Sequence, residues 1–140
     1  MSKAKYYTDV HPIPTGFQIY EDRIDVAGVN HRIKNAKSFV KGKGQRIEFE
    51  TDPSNKYDSN AIRILGFHKG FFGEKKEFIG YVPTEVAAQI MEGNYFNKIK
   101  PRLLKTYMSD SGFIEILFQV LGPKSGKKEY QQSSELEHAT

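Results

Sequence analysis

Residues 46–64 read RIEFETDPSNKYDSNAIRI. Ile47 and Phe49 alternate with Arg46, Glu48 and Glu50, and on the far side of a stretch rich in Asp, Asn, Ser and Pro, Ile62 and Ile64 alternate with Ala61, Arg63 and Leu65. Successive side chains of an extended chain point to opposite faces, so both flanks predict half-buried strands. The interruption between them predicts Asx-type turns, because short carboxylate and amide side chains hydrogen-bond to backbone N–H groups two or three residues on. As architecture alone, those turns would let Tyr57 cover one end of the domain, and Asn60, leading into the second strand, would tie the loop to its neighbour.

The same period extends outward. Arg23–Val29 sets Ile24, Val26 and Gly28 on one face, and Glu77–Val82 resumes strand character after the loop 67–76, forming a long-looped hairpin with Ala61–Leu65. Lys98–Leu104 and Phe113–Val120 predict two further strands joined through Ser109–Gly112, with Pro101 marking an edge or a bulge because proline has no N–H for the ladder. One helix stands out. Thr84 supplies a cap, Glu85 a first-turn acid, and Val86, Ala87, Ile90 and Met91 fall at helical spacing before Gly93. The fold class expected is mainly β, a small antiparallel barrel-like domain with one or two short helices. Residues 1–19, with Pro12 and Pro14, predict an extended lead-in arm; residues 20–122 form the folded domain, and residues 123–140 a flexible polar tail.

With 140 residues the chain has room for one core, and its 38% hydrophobic content contains no run of about 18 apolar residues that could span a membrane. The start Met1–Tyr7 lacks the apolar stretch of a secretory signal, so the expected location is cytoplasmic. Cysteine is absent, which removes thiol nucleophiles, disulfide scaffolds and cysteine-ligated metal sites. His11, His31, His68 and His138 show no paired ligand spacing, and Gly42-Lys43-Gly44 lacks the remainder of a phosphate-binding loop, so neither metal nor cofactor is expected. Asp52 and Asp58 sit in turn-rich sequence, where carboxylates serve backbone N–H groups more often than acid–base catalysis. An intrinsic enzymatic activity is therefore not expected.

The net charge of +4 is mild, but its distribution is uneven. His31–Ile47 holds Arg32, Lys34, Lys37, Lys41, Lys43 and Arg46 without an acid, and Gly93–Ser109 holds Lys98, Lys100, Arg102 and Lys105, again without an acid. Two acid-free basic stretches in one small domain point to a polyanion-binding face; without such a ligand the first would be a solvated lysine-rich loop. Phe71 and Phe72, between glycines in an exposed connection, offer a different use: a protein-interaction adaptor working through that hairpin.

Taken together, Asp52-Pro53, Asn55, Tyr57-Asp58 and Asn60-Ala61-Ile62, followed by Ile79-Gly80-Tyr81-Val82-Pro83 and the short helix, and preceded by Val26-Ala27-Gly28-Val29, resemble the HIRAN domain over residues 20–122. The stand-alone bacterial or phage form is the one this chain is similar to. The resemblance implies a modified OB-like β-barrel that grips the 3′ end of single-stranded DNA in repair, replication or processing, with a helicase or nuclease acting in trans. It implies that Tyr57 contacts a base and that Asp58 accepts a hydrogen bond from the terminal hydroxyl. Eukaryotic 3′-end readers carry a basic and then an aromatic residue where this chain has Asn30 and His31. The resemblance thus leaves stacking to His31 and moves phosphate contact to Arg32, Lys34 and Lys37. A histidine of those readers is Tyr81 here, a lysine is Thr84, and an inner-base aromatic falls on Phe113. Asn60 and Gly80 are assigned structural roles.

Overall fold

Ile47 and Phe49 do point inward from a strand, and the partner they find is the other sheet. The computed structural model describes residues 2–138, with side chains through Ser134. Its elements are β1 (Lys3–Tyr6), β2 (Phe17–Asp25), a 3-10 turn (Val29–Arg32), α1 (Ile33–Lys41), β3 (Lys43–Thr51), β4 (Ile62–Gly70), β5 (Gly73–Tyr81), α2 (Thr84–Glu92), β6 (Lys100–Met108), β7 (Ile114–Pro123) and α3 (Lys127–His138). The strands form two antiparallel sheets, ordered β1-β6-β7-β2 and β3-β4-β5. Phe49 of one meets Phe118 of the other edge to face at 5.9 Å, and Ile62, Ile64, Ile79, Ile116 and Phe118 are buried in the core.

The mainly β, antiparallel expectation holds, but the sheets do not close into a barrel. β1 occupies the edge of β6 from Lys105 to Met108, so the ladder groups available for closure there are already paired. On the other side, among the described residues, the sheets are joined by one bridge, Ala27 with Tyr81, whose two backbone hydrogen bonds are both 2.8 Å. That bridge depends on Gly80. A Cβ at this position would press into the Ala27 carbonyl oxygen and Val26 Cγ1. Gly80→Ala is accordingly expected to destabilise the domain by about 1–3 kcal/mol, measurable as a lower urea midpoint at unchanged slope.

Four local expectations are corrected. The lysine-rich segment after His31 is a helix, α1, because Ile33, Ala36 and Phe39 recur at helical spacing and bury Ala36 and Phe39 while Lys34, Lys37 and Lys41 stay exposed. The lead-in arm is docked: β1 pairs with β6, Tyr7 is buried with its hydroxyl 2.9 Å from Thr106 Oγ1, and Arg102 donates to the carbonyls of Thr8 and His11. The polar tail carries α3, held by one aromatic residue. Tyr130 is buried between Tyr20 and Tyr95, at 4.8 and 5.0 Å, and donates to Glu21 Oε2. The part of the tail expectation that falls on residues 139 and 140 lies outside the described residues. Finally, β4 and β5 run on to a two-residue turn at Phe71-Phe72, with Gly70 opposite Gly73. The hydrophobic pattern conceals this extension because its inward positions are Gly66 and His68 rather than aliphatic residues. Gly66 admits the Phe39 ring, and buried His68 meets Phe39 edge-on.

The helix at 84–92 is present, although Pro83 stands at its cap position and no side chain caps it. Pro101 lies in the part of β6 that β1 leaves uncovered, as its missing N–H requires.

Candidate nucleic-acid interface

The loop joining β3 to β4 is built around two side chains. Asn55 Oδ1 accepts the N–H groups of Tyr57 (2.9 Å) and Asp58 (3.1 Å), and Asp58 Oδ1 accepts the Asn60 N–H at 2.9 Å. These are the Asx turns the sequence predicts. Their consequence is that Tyr57 covers nothing: the turn directs it outward and leaves it 91% exposed. Tyr57 is thus an exposed ring on a loop whose backbone N–H groups are satisfied by its own side chains. Asn60 Nδ2 reaches Glu92 Oε1 at the end of α2 (3.4 Å).

Asp52 anchors the base of the loop. Its Oδ2 accepts from Asn55 Nδ2 (3.1 Å) and the Tyr81 hydroxyl (3.3 Å) and pairs with Arg63 Nε (3.3 Å). The hydrogen bond from Asn55, together with those from Arg63 and Tyr81, holds the Asp52 carboxyl below its ordinary value, against the opposing effect of burial. A carboxylate with a lowered folded pKa stabilises the fold fully above its unfolded value of about 3.9, and that stabilisation is lost as pH falls through the folded value. The loop is therefore expected to loosen only below that range, with protection of the Asp58 and Asn60 amides in hydrogen exchange falling first. Asp52→Asn should remove this pH dependence.

Between this loop, the 3-10 turn and β5 lies an open cleft of about 740 Å³, to which His31, Arg32, Tyr57, Asp58, Arg63 and Tyr81 all contribute. Arg32 is held in it by aromatic faces, its guanidinium 4.2 Å from the Phe78 ring centre and 4.9 Å from that of Tyr81, with NH1 donating to the Gly28 carbonyl at 3.1 Å. Arg63 approaches the same Phe78 ring at 4.9 Å. Two guanidinium groups thus share one aromatic support; Arg63 also pairs with Asp52 and, at 3.7 Å, with Glu50, whereas Arg32 makes no ion pair among the described residues.

A second hollow of about 390 Å³ adjoins the first through Gly28 and His31 and is lined by Asn30 and Phe113, with Asp25 and Glu115 beside them. Phe113 is 56% exposed, its ring 6.3 Å from that of Tyr107. Lys34 and Lys37 line neither cavity. They stand on the exposed face of α1, and Lys37 lies against Gly112 in the β6–β7 turn. Five of the expected contact residues, His31, Arg32, Tyr57, Asp58 and Tyr81, are thus brought to one cleft, Asn30 and Phe113 to the adjoining hollow, and the two lysines to neither.

Three contributors are not singled out by the sequence: Arg63, Phe78 and Asp52 as an anchor. Arg63 stands between inward-facing Ile62 and Ile64, so the period-two pattern already places it on the outer face. Only the strand register puts it opposite Tyr81.

Two solved structures resemble this fold. The chain is similar to the crystal structure of the HIRAN domain of human HLTF, with 16% identity and a TM-score of 0.45 over 86% of this chain and 91% of that one. It is also similar to the NMR structure of the HLTF HIRAN domain in its DNA-bound conformation, with 16% identity and a TM-score of 0.46 over 90% of this chain and 93% of that one. Against the curated proteins the sequence has no significant match. The HIRAN domain family model matches residues 21–121, which run from within β2 to within β7 and include every residue of the cleft: the chain belongs to the HIRAN domain family.

Proposed function

We propose that this domain binds single-stranded DNA in the cleft between Tyr57 and Arg32, prefers a free 3′ end, and catalyses nothing itself. The observation that carries this reading is the composition of one cleft: two guanidinium groups, the rings of His31, Tyr57 and Tyr81, and Asp58, whose carboxylate stands beside Tyr57. Arg32 and Arg63 bind phosphate, the rings stack on bases, and each stacked base contributes about 1–3 kcal/mol. Asp58 uses Oδ1 for the Asn60 N–H, which leaves Oδ2 to accept a terminal hydroxyl. The same negative charge repels a phosphate at that position, so a free end is selected over an internal linkage or a 3′ phosphate. Phe113, with Asn30 beside it, receives a base further from the end. The chemical step on that end belongs to a separate helicase or nuclease.

Fluorescence anisotropy with a labelled ten-nucleotide single strand tests this directly, comparing a 3′ hydroxyl with a 3′ phosphate across a salt series. Salt-sensitive binding that weakens with the phosphate is the expected result. Equal affinity for the two ends would remove end selection and leave a general strand binder, and no binding at low salt would overturn the proposal.

A further inference from the structure

The outer face of the β4–β5 hairpin continues from the cleft without a break. Arg63 lies opposite Tyr81, Leu65 opposite Phe78, Phe67 opposite Lys76, and Lys69 opposite Glu74, all on the face turned away from buried Ile62, Ile64 and Gly66. Along it the rings of Tyr81, Phe78 and Phe67 give way to Lys76 and Lys69, with Leu65 and Glu74 among them, and it ends at Phe71 and Phe72, which are 94% and 97% exposed and contact each other edge-on at 5.0 Å. Two adjacent phenylalanines held at a turn in water bury little within the domain, and exposed apolar patches of this kind mark interaction surfaces.

Charge says which occupant. Lys69 and Lys76 flank the tip on this face, are exposed, and make no ion pair among the described residues; Lys75, opposite His68, is exposed on the other face. The neighbouring acids are already engaged: Glu74 and Glu48 with Arg46, Glu50 with Arg63, and Glu77 with His68. On β3, Glu48 and Glu50 are balanced by Lys43 and Arg46, whereas β4 and β5 carry Arg63, Lys69, Lys75 and Lys76 against Glu74 and Glu77, so the excess of positive charge lies on β4–β5. Unpaired lysines leading to two exposed rings suit a strand of nucleic acid, whose backbone and bases they match.

We infer that the β4–β5 face is a second contact surface for the same DNA strand, leading from the cleft to a stacking site at Phe71 and Phe72. The inference rests on the cleft reading above. From Arg63 to Gly70 the face is about 23 Å long at ~3.3 Å per residue. That length takes about seven nucleotides at the stacked rise of ~3.4 Å, and fewer if the strand is stretched.

The test is affinity as a function of strand length, with single strands of four, eight and twelve nucleotides, for the wild type and for Phe71→Ala/Phe72→Ala. The wild type should gain about tenfold between four and twelve nucleotides, and the variant should lose that gain while keeping its four-nucleotide affinity. Lys69→Glu/Lys76→Glu should remove the same gain and reduce the salt dependence of the longest strand. A wild type that binds four and twelve nucleotides alike, or a phenylalanine variant that retains the gain, would overturn the inference, leave the cleft reading standing and return the tip to a protein partner. Failure of every strand to bind would overturn both.

Discussion

Asp58→Asn is expected to erase the preference for a 3′ hydroxyl over a 3′ phosphate while leaving the loop folded. Asparagine keeps a side-chain oxygen for the Asn60 N–H, which Asp58 Oδ1 now accepts at 2.9 Å, so the Asx turn survives. What disappears is the charge. A hydrogen bond to an ionised acceptor is worth about 1.5–3 kcal/mol, equivalent to roughly 10- to 150-fold in affinity for the hydroxyl-ended strand. The phosphate-ended strand should move the other way, because its repulsion is relieved. Opposite changes in two affinities cannot come from a loosened loop, which would weaken both. If the ratio of the two affinities is unchanged in the variant, Asp58 does not read the end, whatever the absolute affinity does.

Arg32→Ala is expected to lower single-strand affinity by roughly 10- to 100-fold at low salt and to reduce the slope of log affinity against log salt by about 0.7 for each phosphate that Arg32 neutralises. Arg32→Lys should recover part of the slope but little of the affinity. An ammonium keeps the charge and loses the planar guanidinium that lies over Phe78 and Tyr81 at 4.2 and 4.9 Å. Urea denaturation separates this from damage to the fold: the cation–π interactions contribute about 0.5–2 kcal/mol, so the domain should remain folded without them. Arg63→Ala is the less clean experiment, because Arg63 also pairs with Asp52 at the base of the loop. An unchanged salt slope in Arg32→Ala would place the phosphate-binding groups elsewhere.

Much of the candidate site is legible in the sequence because it is local. Asn55, Asp58 and Asn60 close their turns with residues two or three positions away, so residue types in order suffice to predict them. Tyr57 and Asp58 stand out for the same reason. Arg32 is legible as the cation that takes over from Asn30 and His31, but the nature of its support is not: Phe78 lies 46 positions later and meets it only because β5 runs beside the 3-10 turn. Lys34 and Lys37 show the converse. Their charge is plain in the sequence, yet the helical phase of α1 set by Ile33, Ala36 and Phe39 turns them from the cleft.

By itself, then, the sequence determined the strands whose alternation is aliphatic, the turn chemistry around Asn55 and Asp58, the short helix after Pro83, the absence of thiol chemistry and the membership of this chain in its family. Each of these is set by near neighbours or by composition. Only the tertiary structure decided that the sheets remain two instead of closing, that the first residues and the polar C-terminal segment dock, and that Arg63 and Phe78 complete the cleft. Those outcomes turn on partners far apart in the chain: β1 on the edge of β6, Tyr130 between Tyr20 and Tyr95, and Arg63 opposite Tyr81. Strand register and side-chain packing across such distances follow from burying one common core, and no local pattern encodes which distant residue fills the space.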